Sequence, residues 1–70
     1  MMPLIYASPG EENIIRKISG NPDVKRHLEN LGFTTGGSVT LISMLGGNVI
    51  VKVKESRIAL DKDMAGKVMI

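Results

Sequence analysis

Residues 39 to 53 carry the clearest alternation of apolar and polar positions in the chain, and a pair of glycines divides it. Apolar residues recur at every second position on both sides of Gly46-Gly47 and include Val49, Val51 and Val53. A period of two indicates half-buried strands, and two glycines permit a tight reversal. The pattern predicts a β-hairpin with these valines facing inward. Its outward apolar side chains are then Ile42, Met44 and Ile50.

The second strong signal predicts a helix over about residues 22–31. Asn21 can accept a hydrogen bond as the N-cap, and Pro22 suits the first helical position, where no N–H is needed. Gly32 can adopt the left-handed conformation that ends a helix, and Phe33 can then pack back on Leu28. Apolar residues at one-turn spacing form the expected buried stripe, which is Val24, Leu28 and Leu31.

Shorter segments fill the rest of the chain. Before the helix we expect an extended piece around Leu4 and Ile5, a turn at Pro9-Gly10, a turn or loop through Glu11, Glu12 and Asn13, and a strand from Ile14 to Ser19. After the hairpin we expect a short strand at Ile58 and Leu60, a helical turn over about residues 61–65 that Asp61 caps, and an extended end at Val68 and Ile70.

About five short strands, one helix and one helical turn predict a mostly β fold. An open sheet of such short strands would expose two edges, so closure into a strongly bent barrel is the economical arrangement. We expect a small SH3-like barrel that forms a single domain over residues 1–70. An OB-fold is the alternative, but it generally has longer strands and a longer chain.

Composition excludes several classes of function. Hydrophobic residues make up 43% of the chain, and the absence of cysteine removes disulfides, thiol catalysis and thiolate metal sites. Nine basic and seven acidic residues give a net charge of +2, which identifies no partner. The only aromatic residues are Tyr6 and Phe33, so stacking of single-stranded bases is disfavoured. No segment has the roughly 18 consecutive apolar residues of a membrane span.

The sequence predicts no catalytic site, and we expect the protein not to be an enzyme. Residues 32 to 38 have the glycine spacing of a phosphate-binding loop, but Ser38 stands where the lysine of that loop belongs. Triad chemistry needs a histidine held between a carboxylate and a nucleophile, and His27 is the only histidine. The acidic pairs Glu11-Glu12 and Asp61/Asp63 suit solvated turns and helix capping.

The best candidates for metal ligands are Asp23 and His27. They lie four residues apart on the predicted helix, so one helix face presents both a carboxylate and an imidazole. Two ligands on a solvent-facing helix make no closed site, so Fe²⁺ or another divalent ion would bind there weakly and without selectivity. We expect no resident cofactor, and a hydrogen-bonded histidine at the edge of the apolar stripe is the competing interpretation.

A protein contact is the most suggestive binding hypothesis that the residues support. The predicted outer face of the hairpin combines exposed apolar side chains with cations, as the core and the polar rim of an interface do. We expect the partner-binding residues to be Met44, Ile50, Lys52 and Arg57. Burial of Ile50 beneath the N-terminal segment and simple solvation of the cations are the competing interpretations.

The order of these signals resembles the FeoA family, small SH3-like accessory proteins of ferrous iron uptake in bacteria and archaea. The resemblance spans nearly the whole chain. It rests on Leu4 with Pro9-Gly10, a strand ended by Gly20, the helix end Leu28-Glu29-Asn30-Leu31-Gly32-Phe33, and Ile58-Ala59-Leu60 followed by Ala65. The chain departs from the family at Thr35-Gly36, where the family usually has Pro-Gly.

The resemblance implies a non-enzymatic cytoplasmic module that regulates ferrous iron uptake by contacting FeoB, a membrane transporter whose cytosolic part carries a GTPase domain. It implies neither insertion into the membrane nor a nucleic-acid partner. Two other classes stay open, a small nucleic-acid-binding barrel and, less favoured, a direct sensor of divalent metal. Steep loss of nucleic-acid affinity with salt would identify the first, and metal-dependent changes at Asp23 and His27 would identify the second.

Overall fold

Six strands, two helices and one short 3-10 turn make up the computed structural model, which describes residues 1–70. In chain order they are the 3-10 turn Leu4–Tyr6, β1 Glu12–Ile14, β2 Lys17–Ile18, α1 Pro22–Leu31, β3 Ser38–Leu45, β4 Asn48–Val53, β5 Ser56–Asp61, α2 Lys62–Ala65 and β6 Val68–Met69. One antiparallel sheet has the strand order β1-β3-β4-β5, and β2 pairs with β6 in a second antiparallel sheet. The predicted mostly β architecture is confirmed.

Both ends of α1 form as the sequence predicts. The Oδ1 atom of Asn21 accepts a hydrogen bond from the Val24 N–H at 2.9 Å. At the other end Gly32 has a φ of 108°, its N–H donates to the Glu29 carbonyl, and the Phe33 N–H donates to the Leu28 carbonyl at 3.0 Å. These two bonds are those of a Schellman motif.

The first twenty residues depart from the prediction. Leu4–Tyr6 is a 3-10 turn rather than an extended piece, and β1 already begins at Glu12, inside the expected loop. The single strand predicted from Ile14 to Ser19 is wrong, because the chain passes there from one sheet to the other. The Ile15 N–H donates to the Gly37 carbonyl and so extends the pairing of β1 with β3 by one residue. The N–H of the next residue, Arg16, donates to the Met69 carbonyl of β6.

The buried residues form one hydrophobic core to which both sheets, both helices and the N-terminal turn contribute. None of the fifteen buried residues is polar or charged, so the core contains no side chain that needs a hydrogen-bond partner. The ten largest fully buried side chains are Phe33, Leu4, Ile15, Leu28, Leu41, Val39, Val49, Val51, Val53 and Val68. Neither helix has the length and hydropathy that crossing a bilayer requires.

Candidate interaction surface

The four-stranded sheet has a buried inner face and an open outer face, because alternate residues of a strand point to opposite sides. Val49, Val51 and Val53 of β4 lie on the inner face, in the core. The cross-strand register arranges the outer side chains in three rows. They are Glu12, Thr40, Lys52 and Arg57; then Ser43, Ile50 and Ala59; then Leu45, Asn48 and Asp61.

A β-bulge in β3 changes which side chains share the outer face. Leu41 pairs with Val51, and the next pair along the strand is Ser43 with Ile50, so Ile42 is the extra residue. A bulge of one residue shifts every later side chain to the opposite face. Met44 therefore lies opposite Val49, in register with the inner face, and its predicted place beside Ile50 on the outer face is wrong.

The bulge also brings Leu45 to the outer side of the hairpin tip. The side chain of Leu45 is 78% exposed, whereas the unbroken alternation from Val39 predicts an inward residue. No glycine or proline in β3 signals the bulge. The only local indication of exposure at Leu45 is the adjoining Gly46-Gly47 turn, where φ is +60° at Gly46.

Ile50 is open to solvent in part and is not covered by the N-terminal segment. It is half-buried, and it is absent both from the core and from the apolar residues that pack against the core. The N-terminal segment pairs instead with the last strand, where the Met2 N–H donates to the Ile70 carbonyl at 2.9 Å and Pro3 lies opposite Met69. The competing interpretation, in which the N-terminus buries Ile50, is wrong.

Ile42, Ile50 and Ala59 form what we call the outer patch. Ile42 is half-buried like Ile50, and Ala59 is exposed. Lys52 and Arg57 are direct cross-strand partners in the row on one side of the patch, and Asp61 lies in the row on the other side. The surface therefore has an apolar centre with a charged rim, which suits a protein contact better than a small-molecule site.

A polar cleft of about 290 Å³ adjoins the Lys52 side of the outer patch. Its lining contains no hydrophobic residue and consists of Glu12, Gly32, Gly37, Ser38, Thr40, Lys52 and Lys54. Glu12 joins these residues because β1 extends the outer face of the sheet. The sequence pattern did not indicate Glu12 as a residue of this cleft because it predicts a turn or loop there.

A second cleft, of about 460 Å³, lies between β2 and α1 and is mainly cationic. Three basic residues face one acidic residue, Glu29, so the lining carries an excess of two positive charges. The remaining lining residues are polar or apolar without charge. The complete lining is Arg16, Lys17, Ile18, Lys25, Glu29, Thr34 and Thr35.

The two candidate metal ligands both lie on the exposed side of α1. Asp23 and His27 are four residues apart and solvent-exposed. No group of three or more histidine, cysteine, aspartate or glutamate side chains comes together anywhere in the protein. The pair consequently has no third protein ligand to complete a site.

Comparisons with known proteins agree on one family. The family model described as "FeoA domain" matches residues 2–70. A Methanocaldococcus jannaschii protein with the name Fe(2+) transport protein A is 34% identical over 70 residues. The match covers 100% of this chain and 85% of the relative.

Solved structures agree with the family model. The crystal structure of an iron uptake regulatory protein, FeoA, superposes with a TM-score of 0.84 at 31% identity and covers 94% of this chain and 89% of its own. Stenotrophomonas maltophilia FeoA complexed with zinc, described as a prokaryotic SH3 domain protein, has a TM-score of 0.84 at 24% identity over 99% of this chain and 88% of its own. At that identity the second likeness shows the SH3-like fold alone.

Proposed function

The chain belongs to the FeoA family of ferrous iron transport accessory proteins, and on that premise we propose that it works in the cytoplasm by binding the cytosolic part of a FeoB-type membrane iron transporter. Members of this family are small accessory proteins of transport rather than enzymes. Iron is then the cargo of the partner, and this chain contributes a binding surface.

The observation that carries the proposal is the outer patch. Ile50 and Ile42 are the half-buried apolar side chains near the centre of the outer sheet face, and neither belongs to the core. Burying their remaining exposed area against a partner gains free energy that folding leaves unused. Lys52 and Arg57 add two adjacent cations on the rim, which favours a partner surface that is acidic at the corresponding place.

Ile50→Asp tests the apolar centre of this surface. A carboxylate at the centre of a desolvated contact would lack a partner, so affinity for the purified cytosolic region of the transporter should fall more than tenfold, about 1.4 kcal/mol. Isothermal titration calorimetry measures this, and circular dichroism checks the fold of the variant. A folded Ile50→Asp protein that binds like the wild type would remove the outer patch from consideration.

Ile14→Asp is the matched control for position. Ile14 is the same residue type, lies on the same sheet face and is 48% exposed, but it stands on β1, at the far side of the sheet from β5. We expect this variant to bind the transporter within about threefold of the wild type. Equal losses for both variants would mean that the contact is not centred on Ile50.

Lys52→Glu tests the cationic rim separately. Rim charges act mainly on the rate of association and on its dependence on salt. The variant should bind more slowly at low ionic strength and approach wild-type rates as salt screens the rim. Surface plasmon resonance at two salt concentrations measures both quantities, and Lys67→Glu is the control because Lys67 lies next to β6, outside the four-stranded sheet.

We further propose that this activity needs no metal held by the chain itself. The donor set supports this, because Asp23 and His27 are two ligands on an exposed helix without a third. The double variant Asp23→Asn/His27→Gln should therefore bind the transporter region with unchanged affinity, with and without added Fe²⁺. Loss of binding that appears only when Fe²⁺ is present would support a metal-sensing role instead.

A further inference from the structure

The free edge of β5 has unpaired backbone groups. The two-residue turn Lys54–Glu55 joins β4 to β5, and Val53 pairs with Ser56 across it. In an antiparallel ladder the pair that closes such a turn is hydrogen-bonded, and bonded pairs then alternate with non-bonded ones. Ser56, Ile58 and Leu60 therefore bond β4. The N–H and C=O groups of Arg57 and Ala59 point away from it.

No group of the protein satisfies these outward backbone atoms. The turns, loops and caps supply no hydrogen bond to Arg57 or Ala59, and none of the side-chain hydrogen bonds reaches them. Both residues are exposed, and β5 is the last strand of the sheet order. An edge of this kind is a template for pairing with another strand.

We propose that β5 pairs with β5 of a second copy of this chain, antiparallel and centred on Ala59. Two free edges can exchange hydrogen bonds only if outward residues lie opposite outward residues. One register meets this condition and has its two-fold axis at Ala59. In that register Arg57 of each chain lies opposite Asp61 of the other. The same register sets Ile58 opposite Leu60 on the inner side.

The charges on β5 favour a second copy of this chain as the partner of its free edge. Arg57 and Asp61 both lie on the outer face, so the symmetric register creates two opposite-charge pairs directly across the new ladder. Asp61 remains extended, with φ −72° and ψ 163°, so it can continue the strand. Its Oδ1 atom accepts a hydrogen bond from the Met64 N–H at 2.7 Å, which leaves the second carboxylate oxygen for the arginine of the other chain.

The dimer would be an eight-stranded sheet with both outer patches on one side. Residues directly opposite one another in a ladder point to the same face, so the two-fold axis stands perpendicular to the sheet. This self-association requires no transporter, and it is measured on the purified chain alone. If the proposed transporter contact proves wrong, the proposed dimer is unaffected. If the dimer proves wrong, the transporter contact is likewise unaffected.

Sedimentation velocity from about 10 μM to 1 mM protein tests the association, since a short strand contact gives a weak, concentration-dependent dimer. Hydrogen exchange followed by NMR locates it. The amides of Arg57 and Ala59 should exchange freely at the low concentration and become protected at the high one. A monomer throughout the range, or a dimer in which these two amides stay unprotected, would overturn the proposal.

Ala59→Pro is the sharpest variant. Proline has no backbone N–H, so it removes the hydrogen-bond donor that would pair with the second copy. An edge strand tolerates proline at a position whose N–H faces solvent. The dimer should disappear within the concentration range, whereas Ala59→Ser, which keeps the N–H, should associate like the wild type. A folded Ala59→Pro protein that still dimerises with the same constant would contradict the β5 pairing.

Charge variants give an independent test that does not alter the backbone. Arg57→Glu places a glutamate opposite Asp61 of the other chain at each end of the new ladder. The repulsion between these carboxylates should weaken the dimer by more than about tenfold. Asp61→Asn keeps a capping oxygen for α2 and should weaken it only about two- to fivefold. Arg26→Glu, an identical change on the exposed side of α1, should have no effect. Equal weakening by Arg57→Glu and Arg26→Glu would contradict a specific ion pair.

Discussion

Val51 and Ile50 are neighbours on β4, yet they belong to the two different faces of one sheet. Val51 is fully buried among aliphatic side chains, whereas Ile50 is half-buried and makes no part of the core. The buried residues of the inner face are all apolar, because each of their side chains leaves water without a polar partner. The outer face mixes isoleucine, lysine, arginine and aspartate, because side chains that keep contact with water do not need apolar surroundings.

The comparison predicts that the same new charge destabilises the protein by very different amounts at adjacent positions. Val51→Asp places an unpaired carboxylate in the core and should destabilise the protein by more than about 4 kcal/mol, which is comparable to the whole stability of a small domain. Ile50→Asp should cost only about 1 kcal/mol, mainly through lost strand propensity. Urea denaturation followed by circular dichroism distinguishes them, and similar midpoints would contradict the assignment of faces.

Leu28→Ala tests the element that covers the core from outside the sheet. Leu28 is fully buried on α1, and its carbonyl accepts the Phe33 N–H that closes the helix. We expect a loss of about 2–5 kcal/mol from the cavity and the lost packing. Lys54→Ala, at an exposed turn residue, should change the free energy of unfolding by less than about 0.5 kcal/mol. Equal denaturation midpoints for these two variants would show that α1 does not cover the core through Leu28.

Asp61 is the outer-face residue for which we expect a structural role as well. Because its carboxylate caps α2 through the Met64 N–H, Asp61→Ala should destabilise the protein by about 1 kcal/mol. Asp61→Asn retains a capping oxygen and should lose only a few tenths of a kcal/mol. Thermal unfolding measures both changes, and identical losses would mean that the charge, rather than the cap, stabilises this corner.

A stabilising change is expected at Lys54, in the turn that joins β4 and β5. Its φ of 55° lies in the left-handed region, which costs a residue with a Cβ roughly 1–2 kcal/mol. Glycine removes that cost but adds about 0.5–1 kcal/mol of backbone entropy to the unfolded state. Lys54→Gly should therefore stabilise the protein by about 0.5 kcal/mol in chemical denaturation. A measured destabilisation would show that the lysine side chain contributes more than its backbone strain costs.

Local chemistry was sufficient to determine α1, α2 and the hairpin from the sequence. Asn21, Gly32 and Asp61 act on backbone groups within a few residues of themselves, so their meaning does not depend on the rest of the fold. The valines of β4 likewise identify the inner face, because a period of two needs no partner to be recognised. The outward direction of Ile50 and Lys52 followed from the same period.

Only the tertiary structure decided where the chain changes sheets and where a strand gains a residue. Glu12 to Ile18 is divided between two ladders by hydrogen bonds to Gly37 and Met69, which lie more than twenty residues away. The bulge at Ile42 depends in the same way on pairing with β4, and it alone moved Met44 off the outer face and brought Leu45 onto it. These features rest on contacts between distant segments, and local alternation carries no information about such contacts because a shifted register satisfies the same pattern.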